Sequence, residues 1–120
     1  NILPPGVKKT KERYSEKNKH IYLNHAERDV IYKAAKKGVS TNGLTMVMPW
    51  LPCINCANAV ISSGIKVMIV HKQMIERTSD DWEKELKDAL QLLKEAKIKV
   101  IAYDGVVGAD AYMDHENWQA

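Results

Sequence analysis

Residues 44–70 read LTMVMPWLPCINCANAVISSGIKVMIV. Residues 44–48 are a short β-prone run that follows the Thr41-Asn42-Gly43 turn. Pro52 fits the first turn of a helix, where its missing N–H costs nothing, and Gly64 closes that helix. Residues 66–70, KVMIV, then read as a buried strand. The flanks repeat this alternation. Upstream, residues 26–37 carry A-x-x-x-V-I-x-x-A-A at helical spacing, with Val30, Ile31, Ala34 and Ala35 inward and Gly38 as the stop. Downstream, Ser79 caps the amphipathic helix DDWEKELKDALQLLKEA, which places Trp82, Leu86, Leu90 and Leu93 on one face. Asp80, Asp81 and Glu83 near its start and Lys94 and Lys97 near its end complement the macrodipole. Residues 99–103, KVIAY, are the next strand. Helix, strand, helix, strand, helix, strand predicts an α/β fold with a parallel sheet and right-handed crossovers.

The ends are less regular. NILPPG is a proline-glycine turn, with a short helix expected from Thr10, and the tail GVVGADAYMDHENWQA reads as loop with a terminal turn of helix. No internal repeat, low-complexity segment or domain boundary stands out, so residues 1–120 are expected to form a single domain. With 120 residues, the chain can bury one hydrophobic core and not two. Hydrophobic residues at 45% and charged residues at 28% are ordinary for a soluble globular protein. No apolar run approaches the roughly 20 residues of a membrane-spanning helix. Lys8, Lys9 and Lys11 lead into more charge instead of the apolar block of a signal peptide. A cytoplasmic location with no membrane partner is expected.

The formal net charge of +3 suits a phosphorylated small substrate and is too weak to argue for nucleic acid. Much of the excess lies in KKTKERYSEKNK, residues 8–19, which reads first as a solvated stretch and second as a phosphate-facing patch. Arg13, Lys8 and Lys9 could meet a phosphate, but nothing in the sequence fixes their geometry.

Chemistry concentrates in two short segments. Cys53 and Cys56 are the only cysteines, and a bare C-x-x-C leaves redox and metal readings open. Two thiolates at i and i+3 share one face of a helix's first turn, where the helix dipole favours their charge. The pair opens its helix just past the C-terminal end of a strand, where open α/β sheets bind ligands. His25, in N-H-A-E-R-D (residues 24–29), falls just before a helix or at its first residue. If the two helix starts meet, the ligand set is Cys53, Cys56 and His25. Three protein ligands without a fourth is the arrangement of a catalytic zinc. A closed structural site would need one of His20, His71 and His115, of which His71, following a strand, is the nearest candidate. Glu27 has two readings. It is an acid stabilising the first helical turn, or it is a carboxylate beside a metal-bound water, able to move that water's proton. The cysteines favour the second.

H-A-E followed by P-C-x-x-C matches the H-x-E…P-C-x-x-C signature of zinc-dependent nucleobase deaminases. Beyond that signature the chain resembles deoxycytidylate deaminases. NILPPGV is similar to their N-G-F-P-x-G-V loop, HAERDVIY to their HAExNAI helix, and SGIKVMIV, the long helix and KVIAYDG fall where that family has them. The resemblance implies a cytidine-deaminase-like three-layer fold, with a central mixed or parallel sheet flanked by helices. It implies Zn2+ held by His25, Cys53 and Cys56, with Glu27 as proton shuttle and Asn1 at the nucleotide sugar. The implied reaction is hydrolytic deamination of dCMP to dUMP and ammonia, with Glu27 carrying protons to ring N3 and then to the departing amine. A homo-oligomer, a hexamer in many relatives, and regulation by dCTP and dTTP come with the family.

Three positions depart from it. Ile2 stands where the loop has glycine, and Asp29 stands where the helix has asparagine. The family also begins with a helix and two strands ahead of this loop, so the chain is expected to be the later part of a longer one. Trp50 is expected either to wall the pyrimidine or to sit in the core, and the core reading is the more ordinary; Trp82 fits a core stripe. Other readings stay open. Free cytidine or a guanine-type base would suit the same motif. A base within RNA or single-stranded DNA would call for more stacking aromatics than the 7% present, and no stable nucleic-acid partner is expected. A non-catalytic zinc module and a thioredoxin-like redox pair are the rivals outside the class.

Overall fold

The computed structural model describes residues 1–113 and 116–120, and the chain divides into two compact units, residues 1–40 and 41–120, each taken by itself. In the second unit the strands β1 (Thr45–Val47), β2 (Val67–His71) and β3 (Lys99–Tyr103) form a parallel sheet in the order β1-β2-β3. Met46, Met68 and Val100 share one register, as do Val47, Ile69 and Ile101. Because side chains alternate along a strand, Met46, Met68 and Val70 face one way and are buried, whereas Val47 faces the other way and is exposed.

The helices α3 (Ile54–Ser62) and α5 (Asp80–Glu95) pack on each other, and α5 also packs on β3. Helix α3 buries Cys56, Ala57 and Val60, and α5 buries Leu86, Ala89 and Leu93. Leu51, Val70 and Leu86 form a core cluster against which Trp50, Trp82, Leu90 and Val100 pack. Each fully buried side chain of this size contributes on the order of 1.5–3 kcal/mol. The α/β class, the parallel sheet with its helices and the face of α5 are as the sequence predicts. Between β2 and α5 lies a short helix, α4 (Lys72–Glu76).

Several expectations are corrected. The tail is not a loop with a helical turn: β4 (Asp110–Met113) pairs antiparallel with β5 (Glu116–Gln119). Trp118 of β5 stacks on His71 at 5.8 Å, a contact from a distant strand that holds the pair in place. Pro52 precedes α3 instead of entering its first turn, because Cys53 takes the N-cap position.

Helix ends follow backbone chemistry. Gly64, one residue past the α3 cap, has φ of 76°, and its carbonyl accepts from the Gly43 N–H at 2.8 Å. A Cβ there would stand 2.5 Å from Asn42 Oδ1. Lys97 holds the same post after α5 at φ of 59°, while Ile98 N–H donates to the Leu93 carbonyl at 2.9 Å and Lys97 N–H to that of Lys94 at 2.9 Å. This is the two-bond helix stop that glycine serves best. Lys97→Gly is therefore expected to raise stability by about 1 kcal/mol, the cost of a left-handed non-glycine residue. Gly64→Ala should lower stability by at least as much. Denaturant midpoints of the two variants check both signs.

The first unit holds α1 (Lys19–Tyr22) and α2 (Ala26–Lys36). The helix expected from Thr10 is a run of turns, and regular helix begins only at Lys19. Ile2 and Asn24 exchange both backbone hydrogen bonds, at 3.0 and 2.8 Å, in an antiparallel bridge. Leu3 and Leu23, just inside it, are both 5% exposed. The loop between them folds back on itself: the Arg13 guanidinium donates to the Lys8 carbonyl and lies 5.6 Å from the Tyr22 ring centre. Helix α2 presents a narrower inner face than expected. Ile31 and Ala34 are half-buried, but Val30 and Ala35 are exposed. Glu27, Ile31 and Ala34 make a single stripe at helical spacing, and Val30 and Ala35 lie to either side of it.

Candidate metal centre

Two residues of the expected site are helix caps. His25 caps α2 with an extended backbone (φ −68°, ψ 155°), and Cys53 caps α3 in the same way (φ −67°, ψ 170°). Each cap carbonyl accepts the first bond of its helix, Asp29 N–H to His25 at 3.0 Å and Ala57 N–H to Cys53 at 2.8 Å. Neither side chain bonds back to its own helix as a cap. A cap residue of this kind has its backbone committed to the helix and its side chain swung off the helix end. Cys56 follows three residues after Cys53, fully buried, within the first turn of α3.

The metal-binding atoms of His25, Cys53 and Cys56 all lie within 4.8 Å of one another. A tetrahedral zinc with ordinary bond lengths sets its sulfur ligands about 3.8 Å apart, so a small adjustment closes the set. One imidazole and two sulfurs form a donor set suited to zinc. Among the described residues no other group of this kind exists.

The histidines offered as a fourth ligand are placed as follows. His71 is buried, its Nε2–H donates to the Gly105 carbonyl at 2.8 Å, and its ring stacks with those of Tyr103 and Trp118. His20 meets the His25 ring edge-on, with centroids 6.2 Å apart, and is not a member of the donor group. His115 lies outside the described residues.

Glu27, in the first turn of α2, is half-buried and also outside the donor group. Asn1 is exposed and precedes Ile2, whose backbone pairs with Asn24, the residue before His25. Asp29, which stands where the family has asparagine, pairs with Lys33 at 2.6 Å, so its charge is answered within α2. Trp50 donates its indole N–H to Thr78 Oγ1 at 2.8 Å and meets Trp82 edge to face at 5.9 Å.

Sequence reading missed one acid at this end of α3. Glu85 of α5 accepts a hydrogen bond from the Ile54 N–H at 3.3 Å. The available signal was a charge pattern. Glu83 and Asp88 each have a lysine four residues away on α5, Lys87 and Lys84, and pair with it. Glu85 has none, since Asp81, Trp82, Asp88 and Ala89 occupy those spacings.

Residues 2–72 match the family model described as "Cytidine and deoxycytidylate deaminase zinc-binding region". The chain is 37% identical over 65 residues to the deoxycytidylate deaminase of Enterobacteria phage T2, an alignment covering 54% of this chain and 34% of the relative. The phage T4 deoxycytidylate deaminase gives 37% over 65 residues, 54% of this chain and 33% of the relative. ComE operon protein 2 of Bacillus subtilis (strain 168) is 39% identical over 44 residues, 37% of this chain and 23% of the relative. The chain thus spans about a third or less of the length of these curated relatives. With the family model covering more than half of its residues and the three ligands brought together, the chain belongs to the cytidine and deoxycytidylate deaminase family, through its zinc-binding region.

Proposed function

We propose that residues 1–120 act as one deaminase domain that hydrolyses dCMP to dUMP and ammonia. The observation that carries this reading is the meeting of one imidazole and two sulfurs, with a half-buried carboxylate two residues from the imidazole and outside the donor group. Zinc, when bound by His25, Cys53 and Cys56, would supply Lewis acidity that lowers the pKa of a water toward about 7. Glu27 accepts one proton of that water and delivers it to N3 of the pyrimidine as the water oxygen bonds to C4; it then takes the remaining proton of that oxygen and gives it to the amine, so that the C4–N bond breaks, C4=O forms and ammonia leaves. Asn1, next to the Ile2–Asn24 bridge, contacts the sugar. Trp50, steadied by Thr78 and Trp82, offers its remaining surface as a wall for the ring.

The substrate comes from the phage relatives, whose names state deoxycytidylate. An anionic substrate also suits the net charge of +3 and the exposed Lys8, Lys9 and Lys11. Regulation by dCTP and dTTP and assembly into a homo-hexamer enter the proposal from the family resemblance alone.

The test is a deaminase assay of zinc-replete protein on dCMP, dCTP, cytidine and a cytosine-containing oligonucleotide, each with and without dTTP. Highest turnover on dCMP is expected. Turnover confined to the oligonucleotide overturns the substrate, and bound zinc with no turnover on any of the four overturns the enzyme and leaves a structural zinc module.

A further inference from the structure

We propose that Glu85 is a positioning residue of the metal centre, acting through the Ile54 N–H to fix the turn that carries Cys53 and Cys56; this rests on the zinc assignment above. The first N–H groups of helix α3, like those of every helix, have no carbonyl partner within the helix. Its cap side chain, the Cys53 thiol, forms no capping bond to them and belongs to the donor group instead. A helix whose cap is assigned to a metal needs another acceptor at its N-terminus. Glu85 supplies it from α5, 31 positions along the chain, through the first N–H after Cys53.

Three features make this more than a surface contact. Glu85 is half-buried, in a helix whose neighbouring acids Glu83 and Asp88 are exposed. It has no lysine or arginine at helical spacing to hold it elsewhere. And α5 packs on α3 and is anchored in the core by Leu86, the residue next to Glu85, which fixes the backbone that carries the carboxylate. The bond clamps the Cys53–Ile54 peptide, the plane from which the first sulfur is hung. Groups that orient metal ligands in this way typically change affinity 10–100-fold when removed.

Zinc affinity is measured by chelator competition, with the cobalt-substituted spectrum as a second readout of thiolate geometry. Glu85→Ala is expected to weaken zinc binding by about 10–100-fold and to shift the thiolate-to-cobalt absorption. Glu85→Gln keeps a neutral acceptor and should restore most of the affinity. Ile54→Pro removes the donor from the other side without breaking the helix, because proline is favoured at the first helical position and Cys53 is already extended. It should reproduce the alanine effect, and adding Glu85→Ala to it should cost little more. Asp88→Ala, one turn further along α5, should leave zinc binding unchanged. Parental affinity and an unchanged cobalt spectrum in Glu85→Ala overturn the proposal, as does full additivity of the two changes. Failure of the parent protein itself to take up zinc strikes the metal assignment, and the proposal with it.

Discussion

Glu27→Ala is expected to retain stoichiometric zinc while deaminating dCMP at least about 100-fold more slowly, the usual contribution of general acid–base catalysis. The two halves of that expectation have separate origins. The donor group is complete without Glu27, so metal content should not change. The carboxylate lies in the first turn of α2, two residues past the ligand that caps it, where a helix tolerates alanine with little loss. What would disappear, on the proposed mechanism, is the group that carries one proton from water to N3 and a second to the amine. Metal analysis and turnover on one preparation check both halves. Near-normal turnover removes Glu27 from the mechanism; loss of zinc makes it a structural acid.

Cys56→Ser should behave in the opposite way, losing zinc first and activity as a consequence. Cys56 is fully buried and is one of three donors. Serine puts a harder, less acidic oxygen where a soft sulfur bound the ion, and it buries a hydroxyl. The loss of affinity should exceed the roughly 10–100-fold typical of groups that merely orient a ligand. Because metal binding of this kind contributes to folding free energy, the thermal midpoint of the zinc-loaded protein should fall as well. A chelator titration beside a melting curve tests both effects. Full zinc retention in this variant would remove Cys56 from the centre.

How much of this was legible depends on the range of the interactions. The caps at His25 and Ser79 sit where local chemistry puts them, since a helix start is written in a few adjacent residues, whereas Cys53 took the cap position of a helix whose first turn was expected to include Pro52. The α5 stripe was readable because sixteen residues repeat its period. The β4–β5 pair was not. Its strands are four residues each, too short for alternation to stand out, and the stack of Trp118 on His71 joins residues far apart in sequence. The inner face of α2 was misjudged because V-I and A-A doublets fit more than one stripe, and only packing selects between them. Glu85 escaped notice for the same reason. An acid on an amphipathic helix looks solvated until a second helix brings an N–H to it.

The Ile2–Asn24 bridge separates two kinds of change. It ties the chain together immediately before the imidazole ligand, so the excursion it closes begins and ends at fixed posts. Lengthening such an excursion is thermodynamically cheap, about 0.6 kcal/mol for each doubling. The exposed residues between the buried Leu3 and Leu23, such as Val7, Lys8 and Lys9, can therefore be exchanged, extended or recharged while the backbone pairing beside His25 holds. Charge can drift along this stretch while the start of α2 keeps its place.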